Sequence, residues 1–372
     1  MHITHVETYP VRIPLKPERR MISALGRHEV SEFLIVRLLT DTGLEGVGEA
    51  TVTPRWSGET VWGARAVVER LFKPIVIGCD PADITEIERR MDQVCTHNWF
   101  AKAAVEMACW DIQGRAVGKP VYELLGGAQR SRVIRSRFSL GAYEPERAAR
   151  RAGELVAAGF STIKVKVGGV PKRDVERVRI VRSAAGPDVA LVIDANGGWD
   201  ADTAVAAVRA LDDCRLSLVE QPTPDGDYAA LARVRRETKI SVMADESCFN
   251  LVHAQQLERL GCCDVISVYP GKNGGIGKAR AIAEFARAHG LSASIGSNLE
   301  WDIASAAMGH LVVACRAIDV ERYPGDLLGP DYHQFSIARE PLAIDGPSLT
   351  VPDRPGLGID VDWQIVRANP CL

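Results

Sequence analysis

Three acidic residues end three short apolar runs in a repeating pattern. Asp194 closes VALVID, Glu220 closes LSLVE and Asp245 closes ISVMAD. Neighbouring acids in this series are separated by nearly one strand-plus-helix unit, so each carboxylate falls at the C-terminal end of a successive strand. One unit earlier stand Lys164 and Lys166, two apart, and on a strand both side chains leave the same face. Three carboxylates facing one another unpaired repel strongly, and a divalent cation resolves that repulsion. An all-oxygen set without His or Cys favours Mg²⁺, with Mn²⁺ as the alternative, and disfavours zinc. One such acid alone reads as a helix cap or loop carboxylate. Three in register, opposite a Lys-x-Lys pair that has no solvent face on an inner strand, read as a site.

The chemistry follows from these groups. A lysine works as a base only when neutral, and a neighbouring ammonium plus a metal ion lower its pKa toward that state. The metal stabilises negative charge developing on a carboxylate oxygen. Together they remove a weakly acidic proton next to a carboxylate through an enediolate, or run that step backwards, on a small carboxylate substrate.

The elements that must position these residues begin near residue 132. Candidate strands lie at 133–140, 161–167, 189–194, 216–220, 240–244, 264–269, 292–296 and 316–320, with amphipathic helices between them. About eight β-then-α units imply a parallel sheet that closes into a barrel, an α/β fold of TIM type. An open doubly wound sheet is the alternative, weakened because no Gly-x-Gly-x-x-Gly follows a strand. The segment before residue 132 is α+β in character. Residues 31–39 and the run before Gly46 read as antiparallel strands, with turns at Asp41-Thr42-Gly43 and Glu45-Gly46. A helix over 100–117 follows, with Ala104, Met107, Ala108 and Ile112 on one face, ended by Gly118-Lys119-Pro120. The turn-rich tail PGLGIDVDWQIVRANP is expected to return to this first part.

Composition excludes several classes. The chain has 372 residues, with 45 basic against 48 acidic side chains and a formal charge of −3, which argues against a nucleic-acid-binding surface. No run reaches the roughly eighteen apolar residues a membrane helix needs. The N-terminal residues lack an apolar signal core, so a cytoplasmic location is expected. Nine cysteines without a Cys-x-x-Cys pattern read as reduced, buried thiols.

At these residues the chain resembles the enolase superfamily, in its muconate-lactonizing (muconate cycloisomerase) subgroup of the mandelate racemase/muconate lactonizing enzyme family. The resemblance spans essentially the whole chain. It is carried by AKAAVEMACWDIQGRAVGKPVYELLGG (101–127), Lys164-Val-Lys166, Asp194-Ala-Asn196, Glu220-Gln221-Pro222, Ala244-Asp245-Glu246-Ser247, Lys272-Asn273-Gly274-Gly275 and the closing PGLGID. It implies a modified (β/α)8 barrel at 129–345, covered by an α+β capping domain at 1–128 that 346–372 completes. It further implies Mg²⁺ on Asp194, Glu220 and Asp245, Lys166 as the acid/base lysine, and Lys164 assisting the substrate carboxylate. Asn196 and Glu246, inside those motifs, are expected at the substrate. Loops near 16–25 and 51–60 would cover it, with Trp56 as a wall, and a homo-oligomer is expected.

One departure bears on the reaction. The subgroup carries a second acid/base lysine at the end of the sixth barrel strand, and here that position is Tyr269. Lys272 belongs to the following turn and is expected to point elsewhere. A tyrosine, with an ordinary pKa near 10, is a poorer base than an activated lysine. Two-base racemisation is thereby disfavoured, while a one-sided reaction through Lys166 survives. Tyr269 is read as a substrate donor or as a packed aromatic. Asn298 and Glu300 fall at the end of the seventh strand. Asp319-Val-Glu321 ends the eighth, where Glu321 is read either as an ammonium holder or as a salt bridge to a local base. The resulting expectation is a Mg²⁺-dependent, muconate-type syn cycloisomerase. A hydroxy-acid dehydratase is the runner-up and an amino-acid or dipeptide epimerase the third. A non-enzymatic binding protein is disfavoured by the full set of metal ligands and lysines.

Overall fold

The computed structural model describes residues 1–371. Strands β1 (Ile3–Pro14), β2 (Val30–Thr40) and β3 (Glu45–Val52) form an antiparallel sheet in that order. The turn expected at Asp41–Gly43 joins β2 to β3, with Gly43 in the left-handed region at φ 82. Glu45-Gly46 is not a turn but the start of β3, which runs after Gly46 rather than before it. The reason is the helix α2 (Trp99–Val117), which crosses β3 in close contact. A Cβ on Gly46 would meet the Ala108 carbonyl oxygen at 2.2 Å, and one on Gly48 the Ala104 oxygen at 1.7 Å. These glycines permit backbone approach rather than chain reversal. The helix stops where expected, at Gly118 in the left-handed region.

The barrel is one seven-stranded sheet in sequence order. Its staves are β4 (Phe138–Leu140), β5 (Thr162–Lys166), β6 (Ala190–Asp194), β7 (Leu216–Glu220), β8 (Val242–Ala244), β9 (Val265–Val268) and β10 (Ser292–Ile295). Neighbours run parallel throughout. The expected strand 133–140 is divided. Val133–Arg135 pairs instead with Ser348–Thr350 in a small antiparallel sheet, and only Phe138–Leu140 joins the barrel.

The expected eighth strand at 316–320 is absent as a strand, and the closing stave is in two pieces. Low in the barrel, Ile318 bridges Ala293 and the Asp319 amide donates to the Ala293 carbonyl. At the mouth the chain returns at residues 325–327. There the Arg137 amide donates to the Gly325 carbonyl and the Asp326 amide to the Ile295 carbonyl, closing the gap between β10 and β4. A Cβ at Gly325 would meet the Ile295 carbonyl oxygen at 2.2 Å, so this closure requires glycine. Between the two pieces Tyr323 turns inward and packs with Val192, Leu218, Met243 and Val265. Each of these four sits two residues before Asp194, Glu220, Asp245 or Ser267 on the same face. The interior therefore has an apolar floor and a polar layer directly above it.

The tail folds back on the N-terminal part: the Leu357 amide donates to Asp111 Oδ1, and the Cys371 amide to the Pro10 carbonyl. Among the described residues no helix is long and apolar enough to cross a membrane, and all nine cysteines are free.

Candidate active site

The C-terminal ends of β5 to β8 bring Lys164, Lys166, Asp194, Glu220 and Asp245 to one mouth, all of them buried. The Lys164 ammonium lies between carboxylates, donating to Asp326 Oδ2 at 2.8 Å and Glu220 Oε1 at 3.0 Å, with Asp194 Oδ2 at 3.2 Å. Lys166 Nζ donates to Asp194 Oδ2 at 2.5 Å and to Asn196 Oδ1 at 2.9 Å. Asn196 occupies the left-handed region at φ 43, which asparagine tolerates, and its amide donates to Asp194 Oδ1.

Three charged residues that the sequence reading did not assign to the site complete it. Arg137 Nη2 donates to Glu220 Oε2 at 2.7 Å and to Asp326 Oδ2 at 2.8 Å. Asp326, on the returning half of the closing stave, also accepts from Ser139 Oγ at 2.9 Å. Lys272 does not point elsewhere: its buried Nζ reaches Asp245 Oδ1 at 2.8 Å and the Ser267 carbonyl at 2.6 Å. The helical turn Pro270–Asn273 folds it back under β8. A signal for Arg137 lay in the alternation of β4, which puts residues 137 and 139 on the inner face. Asp326 was hidden by the broken stave.

Electrostatics follow this network. Burial pushes the Asp194 carboxyl up, but Lys166 and Lys164 more than reverse that and hold it at about 2. Burial raises Glu220, with the Asp194 and Asp245 charges adding to it and Arg137 and Lys164 opposing. Burial and the Arg137 guanidinium pull the Lys164 ammonium down, yet Asp326, Glu220 and Asp194 outweigh them and raise it. The carboxylates around Lys164 outnumber its cationic neighbours, and this reverses the sign.

Tyr269 is fully buried against Trp56, Phe100 and the Lys272 ammonium, and its hydroxyl has no hydrogen-bond partner. Burial, then Asp245 and Glu300, push its pKa well above the usual value. Glu246 is also buried and accepts from Asn196 Nδ2 and from the Trp56 indole. Burial, then Asp245 and Asp194, push its carboxyl up to about 8. Asn298 lines the cavity, and its Nδ2 is buried without a partner. Glu300 lies behind the wall, accepting from Ser297 Oγ at 2.5 Å and from the Asn298 amide, and burial raises it to about 7. Glu321 is not at the site. It is exposed and pairs with Arg316 at 3.0 Å and Arg130 at 3.2 Å, because the true rim residue of that stave is Asp326.

Above the mouth is a cavity of about 270 Å³. The charged layer forms its base, and the hairpin strands Met21–Ser23 and Gly26–His28 cover it with the short helix α1 (Pro54–Ser57), which carries Trp56. Among the described residues no three acidic, His or Cys side chains stand as a ready cage. The Lys164 ammonium lies where Asp194 and Glu220 converge. A cation already seated among buried carboxylates, with only oxygen donors around it, fits the demands of a hard divalent ion.

A parallel barrel with a lysine pair and carboxylates at its C-terminal rim, under a cap, is an enzyme architecture with its ionisable groups gathered where barrel enzymes place their active sites. The chain belongs to the mandelate racemase/muconate lactonizing enzyme family of the enolase superfamily. Residues 3–126 match the model of the mandelate racemase/muconate lactonizing enzyme N-terminal domain, and residues 147–365 that of the enolase C-terminal domain-like fold. The chain is 36% identical to a hydrophobic dipeptide epimerase of Enterococcus faecalis, over 96% of this chain and 99% of the relative. It is 32% identical to muconate cycloisomerase 1 of Rhodococcus opacus, over 99% and 98%. The crystal structure of the Enterococcus faecalis V583 dipeptide epimerase, complexed with Mg and the dipeptide L-Leu-L-Tyr, superposes with a TM-score of 0.91. It is 34% identical and covers 97% of this chain and 100% of that one. These relatives are isomerases.

Proposed function

We propose that this chain is a Mg²⁺-dependent isomerase of a small carboxylate, a muconate-type cycloisomerase working with one acid/base lysine. The observation that carries the reading is the inequality of the amines. Lys166 has one carboxylate and one amide partner, Lys164 is locked among three carboxylates, and Lys272 is spent on Asp245 and Ser267. Tyr269 follows β9, four staves round the sheet from β5, and its hydroxyl is buried and raised in pKa. Racemisation needs a proton carrier on each face of the reacting carbon, and a second amine is missing.

In lactonisation one carboxylate oxygen of the substrate closes on an alkene carbon. The displaced electron pair moves into the enediolate of the second carboxylate, and the Lys166 ammonium delivers a proton to the α carbon. Asp194, Glu220 and Asp245 would hold Mg²⁺, with Mn²⁺ as the alternative, and the ion when bound stabilises charge on the enediolate oxygens. Lys164 sets the potential at that end of the cavity, and Asn298 Nδ2 is a free donor to substrate. Arg27 and Arg55 line the lid side, and among the described residues neither has a carboxylate partner, which suits a second anionic group. An ammonium-bearing substrate is less well served, because Asp326 is bound to Arg137 and Lys164. Syn dehydration of a hydroxy acid uses the same single lysine and is the second reading.

Incubation with Mg²⁺ and cis,cis-muconate in ²H₂O, followed by proton NMR, should give a lactone carrying one deuterium at the α carbon. EDTA should stop the reaction and Mg²⁺ restore it. Deuterium exchange with inversion in a hydrophobic dipeptide, with muconate untouched, would overturn the proposal in favour of an epimerase.

A further inference from the structure

The lid is wired to the base. The Trp56 indole on α1 donates to Glu246 Oε1 at 3.0 Å. Asn196 Nδ2 donates to the same oxygen at 2.9 Å, and Asn196 Oδ1 accepts from Lys166 Nζ at 2.9 Å. The directions follow from the groups: an indole and an ammonium only donate, and Glu246 Oε1, which takes both N–H groups, accepts whether the carboxyl is ionised or carries a proton on Oε2. The amide of Asn196 is the one member that can face either way. Two donors on one Glu246 oxygen hold its nitrogen toward Glu246, and only then does its oxygen face the Lys166 ammonium. Turned over, it would present N–H to N–H. Glu246 has no slack, because its Oε2 is buried and unpartnered, so Oε1 makes its side-chain bonds alone.

The lid end of the chain is equally well defined. Gly58, at φ 77, ends α1, and Glu59 beside it accepts from the Phe100 and Ala101 amides at 3.1 and 3.2 Å. The Trp56 ring is seated among Phe249, Tyr269 and Phe100, with centroids 5.3, 5.9 and 6.2 Å away. Lifting α1 removes one of the two donors from an oxygen of the buried Glu246 carboxyl, which costs free energy.

We infer that Trp56 is a positioning residue that couples closure of the segment 53–60 to the orientation of Lys166, through Glu246 and Asn196. The inference rests on the reading of Lys166 as the base. The coupling is reciprocal: whatever the closed lid does to Lys166, the Asn196–Lys166 end must do to the lid.

That reciprocity supplies a test without turnover. Hydrogen–deuterium exchange of the full chain in Mg²⁺, read by mass spectrometry on peptides covering 53–60, compares wild type with Trp56→Phe, Asn196→Ala and Lys166→Met. Losing one hydrogen bond of the chain should speed lid exchange by about threefold to tenfold in Trp56→Phe and in Asn196→Ala, and by less in Lys166→Met. In parallel, acetic anhydride labelling of Lys166 is mapped by mass spectrometry. Trp56→Phe should change its rate in the wild-type background and add nothing in the Asn196→Ala background, as expected for links in series. Wild-type lid exchange in Asn196→Ala, or labelling effects that multiply in the double variant, would overturn the inference and leave Trp56 a cavity wall. Neither readout involves substrate, so failure of the cycloisomerase reading would appear separately, in the muconate experiment.

Discussion

The half of the mouth built by β4 to β7 with the returning segment 325–327 and the half built by β9 and β10 treat buried polarity in opposite ways. In the first, Lys164, Lys166 and Arg137 interleave with Asp194, Glu220 and Asp326, and nearly every charged atom is paired. In the second, Tyr269 Oη, Ser267 Oγ and Asn298 Nδ2 are buried with no partner, beside the aromatic rings of Trp56 and Phe100. Two carboxyl groups measure the difference. Asp194 and Glu300 are equally buried, yet the ammonium groups beside Asp194 hold it at about 2 and burial leaves Glu300 at about 7. Burial alone does not set the charge state of an interior acid; its cationic neighbours do. A proton can therefore be handled on one wall of this cavity and merely bordered by the other.

The largest effect expected is from Lys166→Ala, which removes the only amine free to move a proton. Turnover measured by NMR should fall by about 10³-fold or more while circular dichroism stays unchanged. Retained turnover would abolish the distinction between the walls. Next is Arg137→Met, which leaves the buried Glu220 and Asp326 carboxylates short of a cation. Urea unfolding should show a loss of about 3–5 kcal/mol, and a loss near zero would show that Lys164 alone suffices.

Glu300 sharpens the contrast through pH. Its ordinary pKa is 4.5 and its folded value about 7, so over that window the folded chain holds a proton that the unfolded chain releases. The stabilisation is complete below pH 4.5 and is lost as the pH rises through 7. Between pH 5 and 8 the wild type should lose about 2.5 kcal/mol relative to Glu300→Gln. Urea midpoints at the two pH values check this, and a flat difference would mean that the aromatic half stabilises anions after all. The smallest effect belongs to Tyr269→Phe. A hydroxyl without a partner should cost less than about tenfold in turnover and nothing in stability. A loss approaching that of Lys166→Ala would make Tyr269 an acid/base partner.

The regular part of the molecule is legible in the chain because periodicity carries it. Asp194, Glu220 and Asp245 announce themselves by closing β-branched runs at even spacing, and Lys164 and Lys166 by alternation on one strand. Legibility fails where long-range contacts decide the conformation. Gly46 looks like a turn residue until the crossing helix is known to need its missing side chain. The closing stave is broken in two, so the run at 316–320 reads as a strand ending near Glu321, and Asp326 on the returning piece carries no local signal. Lys272 sits in a turn, and nothing local says that the turn folds inward under Asp245.

The plug made by Tyr323 with Val192, Leu218, Met243 and Val265 has a consequence for traffic. With the bottom of the tube corked by hydrocarbon and one phenol ring, whatever enters must leave by the doorway through which it came. Arrival of fresh reactant and departure of spent product then compete for a single exit, and how often that door swings sets an upper bound on throughput.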